Sequence, residues 1–478
     1  MASNWTKFDE VSAGSLFLLG HAPNDSEKPF IYPREASKRP HLAYYGTTRS
    51  GKTFAIEYAL QQLARRRKAG FCYIDPHGSS YWRMASFLRQ QGISKRVIFW
   101  DINDPEFVVT YDPFDAPGQS QAYIAGNLTS ALLSTLGKQG SASEQPHLKT
   151  TTESGLLSLL KLGIPFLLTR DLFDPQDTTI KQAVTRSLER SSMLGAIAEL
   201  PRLLDRYHEL AAPYRRLENL FQDDRLRLTF TTAGLDFRKL MDEGWIILVN
   251  AEPKDQDDEA AALFIRLLIK SFFMGAKRRE KVDKTAPFFL AIDEASRYLT
   301  ADTARILAET AGYGLYLVVG MQSIEQARLE NEETYVALRA NVNAEVVMRL
   351  TDFEESMYFG RRFYAHQMDL KAVKDEQIQT SAIPLTVGHT TTTRSRSTVV
   401  GSSHTARSED DEDLTDTESS STIEQESESD GYHVEYEYEK HRDTKYWSID
   451  EQERHFARLF FLRLKRANAT LRRCSCER

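Results

Sequence analysis

Gly46-Thr47-Thr48-Arg49-Ser50-Gly51-Lys52-Thr53 matches G-x-x-x-x-G-K-[ST] at every position, and no other stretch restricts the fold so tightly. A loop of this kind needs a buried strand before it and a helix after it. Leu42–Tyr45 is a short apolar run suited to the strand. From Thr53 to Arg67, Phe54, Ile56, Ala59, Leu60 and Leu63 recur at roughly helical spacing. The glycines let the backbone curl so that successive N–H groups converge on phosphates. Lys52 then neutralises charge on the β and γ phosphates, and the Thr53 hydroxyl ligates Mg²⁺. Residues 46–53 therefore predict a nucleotide site in an α/β domain.

A chain of 478 residues has room for two to three domains, and its 41% hydrophobic content is ordinary for a globular protein. Its formal net charge of -7 excludes a global basic field, so any surface for nucleic acid must be local. Three cysteines (Cys72, Cys474 and Cys476) make no disulfide framework, which fits a reducing cytosol. The longest apolar tract, Gly155 to Leu168, is too short for a membrane span and contains Lys161. A cytoplasmic protein without a membrane span is expected.

Residues 1–40 read as a lead-in with short strands at Ser15–Gly20 and Phe30–Tyr32. Arg65-Arg66-Arg67-Lys68 before Gly70 closes the first helix, either as a dipole-matched cap or as a phosphate contact. Further strands are expected at Phe71–Ile74, ending in Asp75-Pro76-His77-Gly78, and at Arg96–Asp101. Such alternation predicts a doubly wound, mostly parallel sheet, with core parts at 41–118 and 236–383. Between them, residues 119–235 carry helical patterns only (Ala122–Leu136, Thr151–Leu162, Thr178–Arg190, Leu194–Tyr207, Pro213–Leu220) and read as a helical insertion.

The sheet resumes at Trp245–Asn250, and a long amphipathic helix follows over Asp257–Arg279. Pro287–Ile292 then delivers Asp293 and Glu294 at a strand's carboxyl tip, where open α/β sheets bind ligands. Asp293 suits the Mg²⁺ shell, and Glu294 suits a proton acceptor for attacking water. Strand Leu315–Met321 ends in Gln322, which is either a γ-phosphate sensor or a turn residue. A last strand, Ala344–Leu350, carries Arg349, and the next helix carries Arg361 and Arg362. Each arginine is a charge stabiliser or a surface ion-pair partner. Residues 384–430 are Ser/Thr-rich and then strongly acidic from Glu409 to Asp430, a composition that does not fold alone. Over 431–478, Tyr432–Glu439 alternates like a strand and Ser448 is placed to cap a helix.

In this order, His41-x4-GTTRSGKT, IDPHG at 74–78, the helical insertion, FLAIDEA at 289–295 and LVVGMQS at 317–323 resemble the HerA/FtsK superfamily of DNA-pumping ATPases. Within it, they look most like type IV secretion (conjugative DNA transfer) coupling proteins and their HerA-like relatives. The resemblance covers roughly residues 15–365. It implies a RecA-like core, ATP and Mg²⁺ as cofactors, and a homo-hexameric ring that threads DNA. By matching positions it gives Lys52 and Thr53 to nucleotide and Mg²⁺, Asp293 and Glu294 to the Walker B pair, and Gln322 to the sensor. A relaxase or a secretion channel is the implied partner.

Two departures stand out. Coupling proteins usually begin with membrane-spanning helices, and none is readable here. Many relatives also carry an Arg-Lys pair before the sensor strand, where this chain reads Glu309-Thr310-Ala311-Gly312. If that pair supplies the trans-acting arginine, the role passes to Arg349, Arg361 or Arg362. Two other functions stay open: an ATP-gated platform recruiting a nuclease or other effector, and a pump for protein substrates.

Overall fold

Strand-forming runs that are apolar at every position can be buried only if both faces of their sheet are covered, and that condition selects a parallel sheet flanked by helices. In the computed structural model, residues 18–22, 25–31, 41–65, 69–134, 146–190, 207–231, 234–254, 257–281, 286–364, 373–389, 432–456 and 458 are described. The chain divides into two units. One comprises Met1–Gly360 with Ala457–Arg478, and the other comprises Arg361–Phe456.

The first unit begins with β1 (Leu18–Ala22) and β2 (Asp25–Ile31), an antiparallel pair separate from the main sheet. Then follow β3 (Leu42–Tyr45), α1 (Lys52–Ala64), β4 (Gly70–Asp75), α2 (Ser79–Gln90) and β5 (Val97–Asp101). The helical stretch contains α3 (Gln121–Leu133), α4 (Pro146–Leu162), α5 (Thr169–Phe173), α6 (Thr179–Arg190), α7 (Tyr207–Gln222), α8 (Asp224–Thr229) and α9 (Phe237–Asp242). The core resumes with β6 (Ile246–Asn250), α10 (Asp258–Ala276), β7 (Phe288–Ile292), α11 (Ala301–Glu309) and β8 (Leu315–Met321). It ends with α12 (Ile324–Glu330), α13 (Glu332–Asn341), β9 (Ala344–Val347) and α14 (Phe353–Tyr364), whose residues from Arg361 onward are counted with the second unit.

The seven-stranded sheet has the order β5-β6-β4-β7-β8-β3-β9. Every pairing in it is parallel, so the expected mostly parallel sheet is parallel throughout. Strands β3, β4, β6, β7 and β8 are buried at every position, as continuous apolar runs require. Strand β3 lies between β8 and β9, so one strand separates it from β7. That single spacing decides how the site is assembled.

The helical insertion shares a core with the sheet. Trp100 of β5 packs edge-on against Tyr111 at 5.5 Å and against Phe264 of α10 at 5.3 Å. Phe230 then joins Tyr111 at 5.3 Å to Phe166 at 5.6 Å. These rings are fully buried and bring large apolar areas together in edge and tilted geometries.

Asp112 borders this cluster, and burial pushes its carboxyl up from 3.8 to about 6 although backbone N–H groups of Phe114 and Phe166 favour its ionised form. An acid raised in the folded state binds more protons there than in the unfolded chain. Its contribution to stability is full below pH about 4 and falls as pH rises toward 6. Asp112→Asn should flatten that part of the pH profile of chemical denaturation between pH 4 and 6.5, about the span of the shift. A variant profile parallel to wild type would show that Asp112 titrates normally.

Several expectations need adjustment. Helix α2, with Tyr81, Met84 and Leu88 buried along one face, and the short helices α12 and α13 were not foreseen. Strand β9 stops at Val347, before Arg349. In the second unit, β10 (Val373–His389) pairs antiparallel with β11 (Tyr432–Tyr446), from Val373↔Tyr446 to His389↔Tyr432. The expected boundary at 384 thus falls inside a strand. Ser448 does cap a helical stretch: its Oγ accepts from Glu451 N at 3.2 Å, while Ser448 N donates back to Glu451 Oε2 at 3.0 Å. The expectations for Arg66–Lys68, residues 194–206, the acidic run and the terminal cysteines lie outside the described residues.

Candidate functional site

At the carboxyl end of β3 the chain turns through a loop that needs backbone conformations most side chains avoid. Gly46 and Gly51 have φ of 155° and 101°, and Arg49 sits at φ 62°. A Cβ on Gly46 would stand 2.7 Å from Ser50 Oγ and 2.9 Å from Met348 Cβ, so this position has no room for a side chain. Neighbouring strand ends hold the loop. Gly46 N donates to Met321 O at 3.1 Å, and Thr47 N donates to Arg349 O at 2.9 Å. Thr48 and Arg49 are exposed at its tip, and Ser50 is buried beneath.

The loop feeds α1, whose N-cap is Gly51, without a capping side chain or an acid in the first turn. The first N–H groups and the positive dipole end are therefore open to an anion. Lys52 is buried, and its Nζ donates to Gly46 O at 2.6 Å and Thr47 O at 3.3 Å. Burial pulls its pKa down, and Glu294 and Asp293 partly restore it.

Asp293 follows β7 and reaches across the end of β8 to the loop helix. Thr53 Oγ1 donates to Asp293 Oδ2 at 2.6 Å. The crossing passes over Gly320 of β8. A Cβ there would lie 2.7 Å from Asp293 Oδ1 and 2.8 Å from Ile56 Cδ1. Gly320 is thus the residue that lets a carboxylate on β7 meet a hydroxyl two strands away. Sequence reasoning passed over it, although a glycine inside the apolar run LYLVVGM is a standing sign of close approach.

Glu294 is half-buried and held at φ 49°, ψ 41°, in the left-handed region. Gln322, just beyond β8, donates from Nε2 to both Glu294 oxygens at 3.3 and 3.2 Å. The residue after it, Ser323, caps α12 by accepting from Glu325 N at 3.0 Å, and Glu355 accepts from Ile324 N at 2.7 Å, which anchors the turn that carries Gln322. Lys52, Thr53, Asp293, Glu294 and Gln322 therefore converge on one sheet edge, as their sequence positions implied.

The IDPHG stretch has a structural task that motif matching did not reveal. Asp75 is buried and accepts from His77 N at 2.9 Å, Ser80 N at 2.8 Å and Tyr81 N at 2.8 Å, so it caps α2. Burial raises its pKa, these N–H donors lower it, and nearby Asp293 raises it again. Behind it lies a second unforeseen group. Glu57 of α1 is buried, takes a hydrogen bond from Ser80 Oγ and an ion pair from Arg83, and Tyr73 OH donates to Ser80 Oγ at 2.8 Å. This network ties the loop helix to α2.

The arginines divide. Arg349 touches the loop through its carbonyl, and its side chain is exposed. Arg361 pairs with Glu453 inside the second unit. The Glu309–Gly312 stretch lies before the opposite, amino end of β8, where Glu309 forms an ion pair with Lys277.

The fold and this edge define a RecA-like P-loop architecture, with one strand between the carboxylate strand and the loop strand. Among solved structures the chain is similar to the bacterial conjugative coupling protein TrwB in an unbound form, at 15% identity and TM-score 0.53, over 75% of this chain and 78% of that one. It is equally similar to the plasmid coupling protein TrwB in complex with ADP and Mg²⁺, at 15% identity and TM-score 0.53, over 75% and 81%. A third, TrwB with a non-hydrolysable ATP analogue, aligns at 16% identity and TM-score 0.53, over 74% and 80%. No protein-family model and no curated protein matches the chain. The resemblance read from the motifs thus has its counterpart in the fold. Among the described residues, no helix is long and apolar enough to cross a membrane.

Proposed function

We propose that the protein is a Mg²⁺-dependent ATPase that couples hydrolysis to DNA translocation in the manner of a coupling protein. The observation that carries this reading is the contact between Thr53 and Asp293 across Gly320, with Glu294 held beside it by Gln322. A hydroxyl and one carboxylate are hard oxygen donors of the kind that hold Mg²⁺ together with substrate phosphates. The residues fit the ion. When bound, Mg²⁺ offsets the negative charge of the β and γ phosphates.

In this reading the N–H groups of residues 48–53 and the Lys52 ammonium hold the phosphates. Glu294 accepts the proton from the water that attacks the γ-phosphorus, and Gln322 fixes the direction of that carboxylate. The resemblance of the motifs, rather than the fold, carries the rest of this reading: a homo-hexameric ring around DNA, working in the cytoplasm and recruited to a membrane complex by a partner, with a relaxase or secretion channel as partner. Arg349, carried by the segment that holds the loop, is the arginine we assign to a neighbouring subunit's γ-phosphate. Hydrolysis without such an arginine runs about three to five orders of magnitude slower.

Lys52→Ala should abolish both nucleotide binding and DNA-stimulated hydrolysis, read as phosphate release with and without single- and double-stranded DNA. Activity undiminished in that variant sinks the ATPase assignment. Glu309-Thr310-Ala311-Gly312, standing where the resemblance leads one to expect an Arg-Lys pair, favours one second reading: an ATP-gated ring that recruits a nuclease or other effector. Light scattering separates the two. A ring that assembles with ATP while its hydrolysis ignores DNA supports the platform.

A further inference from the structure

At the amino edge of the sheet, opposite the phosphate loop, lies an open cavity of about 1070 Å³ between the start of α3, helix α4 and the ends of α10 and α11. Its size exceeds the ordinary small-molecule range of about 300–1,000 Å³. In a chain of net charge -7, its lining holds five cations and two carboxylates. Three of the cations are balanced within the fold: Lys277 by Glu309, Arg278 by Asp236 at 3.6 Å and Arg238 by Asp242 at 3.5 Å. Lys149 and Arg305 are exposed and, among the described residues, make no ion pair or hydrogen bond. Tyr123 shares this lining and is 37% exposed. Burial raises the pKa of its phenol, while the charges of Lys277 and Arg305, in the same lining, lower it. The amide of Asn127, also in the lining, is fixed by donation to Tyr123 O at 2.7 Å and by the buried Lys270 at 3.2 Å.

A cationic groove with an accessible aromatic ring is the pattern that binds a nucleic-acid strand without sequence preference: phosphates lie along the cations and a base stacks on the ring. We propose that this groove is a single-stranded DNA site, separate from the nucleotide edge, with Lys149 and Arg305 on phosphates and Tyr123 stacked on a base. The proposal rests on the reading of the protein as a DNA-acting ATPase.

The test is fluorescence anisotropy of a labelled single-stranded oligonucleotide with the full-length protein, titrated at several salt concentrations. The double variant Lys149→Glu, Arg305→Glu should bind about tenfold or more weakly, with a salt slope shallower by about 1–2. Tyr123→Ala should lose about five- to a hundredfold on single strands, and Tyr123→Phe should keep wild-type binding. Both should bind duplex as wild type does. Hydrolysis without DNA should be unchanged in all three variants, which shows that they fold. Wild-type affinity and salt slope in the double variant would overturn the groove and leave the DNA reading standing. Equal loss of duplex binding in Tyr123→Ala would overturn the stacking of a single strand. If the unaltered protein shows no salt-sensitive binding of any oligonucleotide, the groove and the DNA reading fall together.

Discussion

Glu294→Gln should retain nucleotide affinity and lose about two to four orders of magnitude in the rate of hydrolysis. That is the usual worth of a positioned general base. The substitution keeps the shape of the side chain and leaves the left-handed turn at φ 49° as it is. It removes only the ability to take a proton. Gln322 donates from Nε2 to both carboxylate oxygens, so the oxygen of the new carboxamide still accepts from it and the side chain need not move. Fluorescent nucleotide titration and phosphate release under single-turnover conditions separate binding from chemistry. Hydrolysis within a factor of two of wild type would take Glu294 out of the mechanism, and the buried Asp75 would not replace it because backbone N–H groups already occupy its oxygens.

Gly320→Ala is expected to damage the site from a position that touches no phosphate. The new methyl would stand 2.7 Å from Asp293 Oδ1 and 2.8 Å from Ile56 Cδ1, and neither group yields without cost. Moving Asp293 breaks its bond to Thr53, so the Mg²⁺ concentration for half-maximal activity should rise about 10- to 100-fold, the usual effect of disturbing the support of a metal ligand. Overpacking against Ile56 should cost a further ~1–3 kcal/mol of stability. Gly312→Ala is the control, since a Cβ there meets nothing within 4 Å. An unchanged Mg²⁺ requirement in Gly320→Ala would mean that Asp293 does not work through Thr53.

The loop and the acidic strand tip were readable because phosphate chemistry fixes residue types at fixed spacings. Gly46 through Thr53 stand where that chemistry demands, and Asp293, Glu294 and Gln322 end strands whose apolar runs are unmistakable. The parallel sheet was readable for the same reason, since uniformly apolar strands must be covered on both faces. What escaped were residues whose role arises only when distant strands become neighbours. Gly320 matters because β8 lies between β7 and β3, an order the linear chain does not display. Glu57 is one acid on an apolar helix until Arg83 and Ser80 are brought to it by the turn after β4. Strand β10 escaped because its residues mix charge, amide and small side chains without clean alternation, and its partner is more than forty positions away. Helices α12 and α13 are short and largely polar, so their spacing carries little signal.

The placement of β3 between β8 and β9 also bears on how the protein is made. The phosphate loop leaves the ribosome well before its supports, for Gly46 and Thr47 take their backbone partners from Met321 and Arg349. At about 5–20 residues per second, the intervening three hundred or so residues take roughly 15–60 s to synthesise. Until β8 is made, the apolar strand Leu42–Tyr45 has neither of the two strands it pairs with. A nascent chain of this design must be sheltered for most of its translation, and premature termination before Val347 leaves a sticky fragment rather than a smaller working domain.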